Sequence, residues 1–343
     1  MRQICFITVV LLIFYGADFL LTSNEQSFTF LSKRHTTILK GVAIFTVVWG
    51  HMTAQLGIKH IQMIAEIGVW IFLFCSGYGC MKSAQKSGIK GFWRRRFFKI
   101  ILPFWICELI GLIFTKRFTL HLYIMDVTFV KAATSYGWFM GYLMLYYIAF
   151  WLLEKTQIVL KRRESFALKG IMIFAVFIFI YFSTVSVNPL FPALRARQIL
   201  AFPLGMFAVD GKNYFATLIK WVSSKSEERI GAVGATLLIS GGGWKLITKY
   251  LETRMPYLIS NMTALLAATL CGIAFILLSV CCKKLFSKRY FFILGKYSFS
   301  IYMVHAFTLN LLNGNLSGSI AFLLSTGVLC VILQNTLIKA FQR

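Results

Sequence analysis

Lys40 and His51 stand eleven residues apart in the run LKGVAIFTVVWGHM. Eleven residues make about three helical turns, so the two side chains share a face with an axial separation of about 16 Å. They cannot touch each other, but one elongated ligand can touch both. Lys40 lies at the start of an apolar run and His51 roughly 20 Å into a hydrocarbon core about 30 Å thick. A titratable ring at that depth suits general-base chemistry. By spacing alone, a snorkelling lysine and a histidine bonded to a neighbouring carbonyl fit equally well.

Other groups follow along the chain. WIFLFCSGYGCMKS carries Ser76 and Tyr78 among small residues that allow close helix approach. KGFWRRRFFKIILPFW gathers Arg94, Arg95, Arg96 and Lys99, which can clamp phosphates or merely mark a cytoplasmic loop. Trp138, Phe139 and Tyr146 are aromatic residues of the kind that anchor a span at an interface. Ser298, Tyr302 and His305 fall on one helix side at i, i+4 and i+7, lining a cavity or a polar seam. Glu108 and Asp210 are acidic residues available to intramembrane cations, while His35, His60 and His121 receive no role. The 8 Cys form no CxxC pair and have no His at ligand spacing, which implies neither metal nor disulfide.

These groups need elements to hold them, and the composition says which. The 343 residues are 58% hydrophobic, 16% aromatic and 14% charged, with a net charge of +25. A soluble domain carries roughly 25% charged residues, so a soluble globule is excluded. Disorder is excluded by the aromatic and aliphatic content. No water-facing scaffold is visible for a basic groove, so nucleic acid is not a partner. What remains is an all-α polytopic membrane protein, with about 10–11 transmembrane helices in one bundle.

Apolar runs of spanning length occur near 4–22, 38–58, 61–81, 100–115, 136–153, 170–187, 199–212, 230–248, 261–282, 292–312 and 318–338, the seventh being short. Alternate connecting segments hold 24 Lys and Arg on one side against 9 on the other. That bias puts the richer set, and the C-terminus, in the cytoplasm, and its unbroken alternation supports a crossing at 199–212. Residues 1–22 lack a small-x-small cleavage site and read as an uncleaved helix. Gly241, Gly242 and Gly243 are expected to weaken their span and permit a break. The chain divides into 1–33, an additional N-terminal helix and cytoplasmic loop, and a membrane domain over 34–343.

In this order the features resemble the acyltransferase-3 family of integral membrane acyltransferases. Lys40-x10-His51 is similar to its R/K-x10-H motif, WIFLFCSGYGCMKS to its aromatic SGF/SGY segment, and Arg96-x-x-Lys99 before Pro103 to its RxxR, with Lys in the last position. YGWFMGYLMLYY, FPLGMF and LGKYSFSIYMVH resemble three later segments, and together the likeness covers roughly residues 34 to 338. The helix at 1–22 is additional to the family's usual first one, and no SGNH-type esterase domain follows the last span. Transfer is then completed by this chain or handed to a separate protein.

The resemblance implies transfer of an acyl group, most often acetyl, from acetyl-CoA as co-substrate to a hydroxyl of an extracytoplasmic glycan such as a surface polysaccharide or exopolysaccharide. His51 and Lys40 are then catalytic, with His51 as general base or transient acyl carrier. Arg95, Arg96 and Lys99 hold the CoA phosphates with Lys40, and Ser76 and Tyr78 lie near the thioester. Trp138, Tyr302 and His305 meet the acceptor, Trp138 with Phe139 and Tyr146 as a sugar-stacking platform or as belt anchors, and no metal takes part. Expected partners are the glycan, membrane lipid and polysaccharide-assembly proteins, in a bacterial plasma membrane. The competing classes are a polysaccharide or lipid-linked-sugar transporter or flippase, in which Lys40 and His51 are incidental, and a glycan polymerase, which is expected to carry a larger outer loop than 116–134.

Overall fold

A computed structural model describes residues 28–57, 64–134, 137–159, 175, 178, 197–210, 226–251 and 257–338. The expected spans at 4–22 and, apart from two positions, 170–187 lie outside these residues. The described chain is helical, with no strand among the described residues. In chain order the helices are α1 (Lys33–Gln55), α2 (Ile64–Ser87), α3 (Phe92–Phe114), α4 (Leu120–Val127), α5 (Trp138–Val159), α6 (Ala201–Asp210), α7 (Ser226–Leu251), α8 (Tyr257–Cys281), the single turn α9 (Lys283–Phe286), α10 (Arg289–Thr308) and α11 (Leu316–Leu333). Five stretches among the described residues are long and apolar enough to cross a bilayer: α1, α2, α3, Met262–Cys281 of α8 and Leu316–Thr336 at α11. Ile110, Ile113 and Phe114 of α3 and Leu324 and Val328 of α11 project outward, Phe114 at 77% exposure. Such side chains belong against lipid, and the protein is a multi-pass, all-α membrane protein.

Local chemistry sets several helix ends. Ser32 caps α1, accepting the His35 backbone N–H at 3.1 Å, and His35 Nδ1 accepts the Leu31 N–H at 2.9 Å. Buried His35 also stacks on Phe28 at 4.6 Å, so its part is to close a helix start. Asn315 caps α11 through the Gly318 N–H at 2.7 Å. Within α3, residues Phe97–Ile101 form a π turn. Pro103 follows it, lacks an N–H and would press its ring on the Lys99 carbonyl in a regular helix. The widened turn accommodates that ring, and it is the turn that carries Lys99.

The chain forms two compact units. The first holds α1, the first residues of α2, α3, α4, the start of α5, α10 and α11; the second holds the remainder of α2 and α5 with α6, α7 and α8. In the first, α1 and α10 run parallel, Thr37 beside Gly295 and His51 beside His305. A Cβ at Gly41 would strike the Phe291 carbonyl, and one at Gly295 the Thr37 carbonyl, so the two backbones touch because both positions are glycine. Phe104 and Cys107 of α3, Met140 of α5 and Met303, Val304 and Phe307 of α10 form one core cluster alongside.

In the second unit Gly77 of α2 lies against the Phe202 carbonyl and Gly205 of α6 against the Phe74 carbonyl, a close crossing of two backbones. The segment expected to cross at 199–212 contains α6, and residues 211 and 212 lie outside the described ones. One expectation changes here. The glycines at 241–243 do not break their helix, since α7 continues through them. Gly241 faces α8, where a Cβ would come 2.8 Å from Cys271 Sγ, while nothing lies within 4 Å of one at Gly242 or Gly243. The run serves close packing on one side and is held helical by its neighbours.

Candidate active site

His51 meets a partner that its own helix could not supply. Its Nδ1 lies 2.8 Å from Nε2 of His305, with the rings parallel at 6° and their centroids 5.1 Å apart. The contact joins positions ten residues beyond the Gly41 and Gly295 crossing on each helix, so the glycine seam sets the spacing of the rings. His305 is fully buried. Its Nδ1 lies 2.6 Å from the Tyr302 carbonyl and 3.2 Å from the Ile301 carbonyl. Carbonyl oxygens only accept, so this nitrogen carries a proton.

An aromatic path leads from the pair to the start of α5. The Tyr302 ring lies 5.8 Å from His305 and 5.3 Å, edge to face, from Phe139, which meets Trp138 at 6.1 Å. His51, His305, Tyr302 and Trp138 are therefore linked within one unit. Ser300 is directed elsewhere, donating to Gln334 Oε1 at 2.8 Å, and Ser298 donates to the Gly295 carbonyl at 2.9 Å. Thr308 and Thr326 meet at 2.7 Å and tie α10 to α11 just beyond the pair.

Lys40 is half-buried three turns from His51, toward the N-terminal end of α1. That end also carries Arg34 and Lys296, each 4.7 Å from the centroid of the Phe292 ring. Arg95, Arg96 and Lys99 belong to α3 of the same unit, half-buried Arg96 resting on Phe92 at 4.9 Å and Lys99 exposed. Ser76 and Tyr78 belong to the second unit. There the Tyr78 ring is buried with Lys82 Nζ 5.4 Å above it, and Ser76 is half-buried. Tyr146, the third aromatic of the expected sugar platform, stacks on Phe202 at 5.1 Å in that unit, fully buried.

Glu108 takes an acidic neighbour. It is buried on α3 beside the carboxyl of Asp126 on α4. Two neighbouring buried carboxyls favour a state in which one keeps its proton. Asp126 Oδ1 also accepts the Ala133 N–H at 3.0 Å, and Arg117 donates to the Ala133 carbonyl at 3.1 Å. Burial raises the Asp126 carboxyl above the usual carboxylate range, against the Ala133 bond. Asp126 went unnoticed in the sequence because it is one aspartate in a short connecting helix. Asp210 ends α6, and its side chain lies outside the described residues. Among the described residues no group of three or more His, Cys, Asp or Glu is placed to hold a metal ion.

The pair can accept a proton at depth, with a cationic end three turns away. The family model described as "Acyltransferase domain", that of the acyltransferase-3 family, matches residues 37–334, a stretch containing Lys40, His51, Arg95, Arg96, Lys99 and His305. Neither the curated proteins nor the solved structures compared with the chain contain a match.

Proposed function

Because the chain belongs to the acyltransferase-3 family and is a membrane acyltransferase, we propose that it moves an acetyl group from acetyl-CoA in the cytoplasm to a hydroxyl of an extracytoplasmic glycan. One observation carries the reading: a half-buried imidazole on α1, held 2.8 Å from a fully buried second one, lies three turns from Lys40 on the same helix. CoA is a polyanionic head on a long thin arm, and a cationic end joined to a deep base suits that shape. The N-terminal ends of α1 and α10 then face the cytoplasm, as the loop charge bias argues. Lys40, Arg95, Arg96 and Lys99 hold the phosphates, with Arg able to grip bidentately.

His51 takes the proton of the acceptor hydroxyl as its oxygen bonds to the thioester carbonyl carbon. As the tetrahedral centre collapses the C–S bond breaks, and the CoA sulfur leaves with the proton that His51 returns. Trp138 and Tyr302 present apolar ring faces to the sugar. The protein works in a bacterial plasma membrane beside polysaccharide-assembly proteins, its C-terminus cytoplasmic.

The test is mass spectrometry of surface polysaccharide from the parent cell, a deletion strain, and the deletion complemented with wild type or His51→Ala. Ester-linked acetyl lost in the deletion and restored by wild type alone supports the reading. Unchanged acetylation with reduced polysaccharide export replaces it with a transporter.

A further inference from the structure

The geometry points to His305 as the positioning residue of His51, fixing which nitrogen of His51 is basic and receiving its second ring proton during turnover. The inference rests on the proposed base role of His51. The chain of hydrogen bonds has one direction. The Tyr302 and Ile301 carbonyls only accept, so His305 Nδ1 holds a hydrogen. With that ring neutral, His305 Nε2 has a lone pair and accepts. His51 Nδ1 at 2.8 Å must then be the donor, and with His51 also neutral the lone pair of its ring sits on Nε2. Two backbone carbonyls on α10 thus decide the tautomer of a ring on α1, 254 residues away.

An imidazole in this position can do what an oxygen-bearing orienting group would not. When His51 Nε2 takes the hydroxyl proton, its ring becomes an imidazolium with hydrogens on both nitrogens. The Nδ1 hydrogen can pass to His305 Nε2, leaving His51 neutral with its proton on Nε2 and the positive charge on His305. There the Tyr302 and Ile301 carbonyls stabilise that charge. The steps reverse as His51 protonates the departing sulfur, so no proton is gained or lost by the pair. Spreading one charge over two stacked rings lowers the cost of holding it in a desolvated site. Orienting partners of functional histidines typically contribute about 10–100-fold, and His305 is expected to reach the upper end.

The experiment uses membranes of the source cells carrying the full-length chain, fed radiolabelled acetyl-CoA, with ester-linked label in the glycan fraction as product. His305→Ala is expected to lower kcat by about 100-fold with the KM for acetyl-CoA unchanged, and added imidazole to restore part of the rate. His305→Gln keeps an oxygen that accepts from His51 Nδ1 but cannot take its proton. It is expected to recover much of the rate, while the rate against deuterium fraction, curved in the wild type by two moving protons, becomes linear. His305→Ala at wild-type kcat, or identical curvature in His305→Gln and wild type, overturns the inference while the base role of His51 stands. A fully active His51→Ala removes the base role of His51 and the inference with it, whereas wild-type membranes that leave no label remove the acyl-transfer reading itself.

Discussion

Gly295→Ala probes the seam that spaces the two histidines. A Cβ at Gly295 would lie 2.7 Å from the Thr37 carbonyl carbon and 3.0 Å from Thr37 Cγ2, and one at Gly41 would lie 2.8 Å from the Phe291 carbonyl carbon. Unstrained carbon contacts run about 3.5–4.0 Å, so α1 and α10 must part by about 1 Å. The His51–His305 separation of 2.8 Å would then approach about 3.8 Å, past any hydrogen bond. Overpacking of this kind costs about 1–3 kcal/mol of stability, and a misplacement of about 1 Å lowers turnover by about 100-fold. Transfer of label from acetyl-CoA in membranes, beside the thermal midpoint of the purified protein, measures both. Gly41→Ala combined with Gly295→Ala should cost less than the two singly, since one opening relieves both clashes. Gly242→Ala is the control, with nothing within 4 Å of the added methyl. Wild-type turnover in Gly295→Ala would refute the claim that the glycine seam sets the spacing of the pair.

Arg96→Ala should raise the KM for acetyl-CoA by about 10-fold or more, the worth of one charge-assisted bond, and leave kcat nearly unchanged; steady-state kinetics that find the reverse would move Arg96 out of donor binding. His51→Ala should lower transfer by at least about 100-fold while acetyl-CoA binding, measured by equilibrium dialysis, persists. Burial raises the Asp126 carboxyl, so the native chain keeps a proton that the unfolded chain releases. Stability from this group is then full at acidic pH and falls as pH rises toward the native value, by about 1.4 kcal/mol per pH unit for one proton. Thermal midpoints followed as pH rises from about 4, the ordinary aspartate value, should show that fall in the wild type and a flatter profile in Asp126→Asn, which keeps an oxygen for the Ala133 N–H.

Local periodicity made part of this protein legible from residues alone. Lys40 and His51 share a face because eleven residues close three turns, and the apolar runs at 38–58, 61–81, 261–282 and 318–338 correspond to helices long enough to cross a bilayer. Both follow from spacing within one element. The glycines at 241–243 misled because helix propensity is a weak prior, and packing of α7 on α8 overrides it.

The order of motifs and the membrane class follow from sequence, since backbone hydrogen bonding in lipid leaves an apolar run little choice but a helix. Which face of one helix meets which face of another depends on packing between residues hundreds of positions apart, and no local pattern encodes it. Only the tertiary structure places His305 against His51, turns Glu108 toward Asp126, and makes Gly41 and Gly295 the floor of the same seam. A backbone without a side chain is invisible to hydropathy, yet it determines how closely two helices approach and so whether two imidazoles can share a proton.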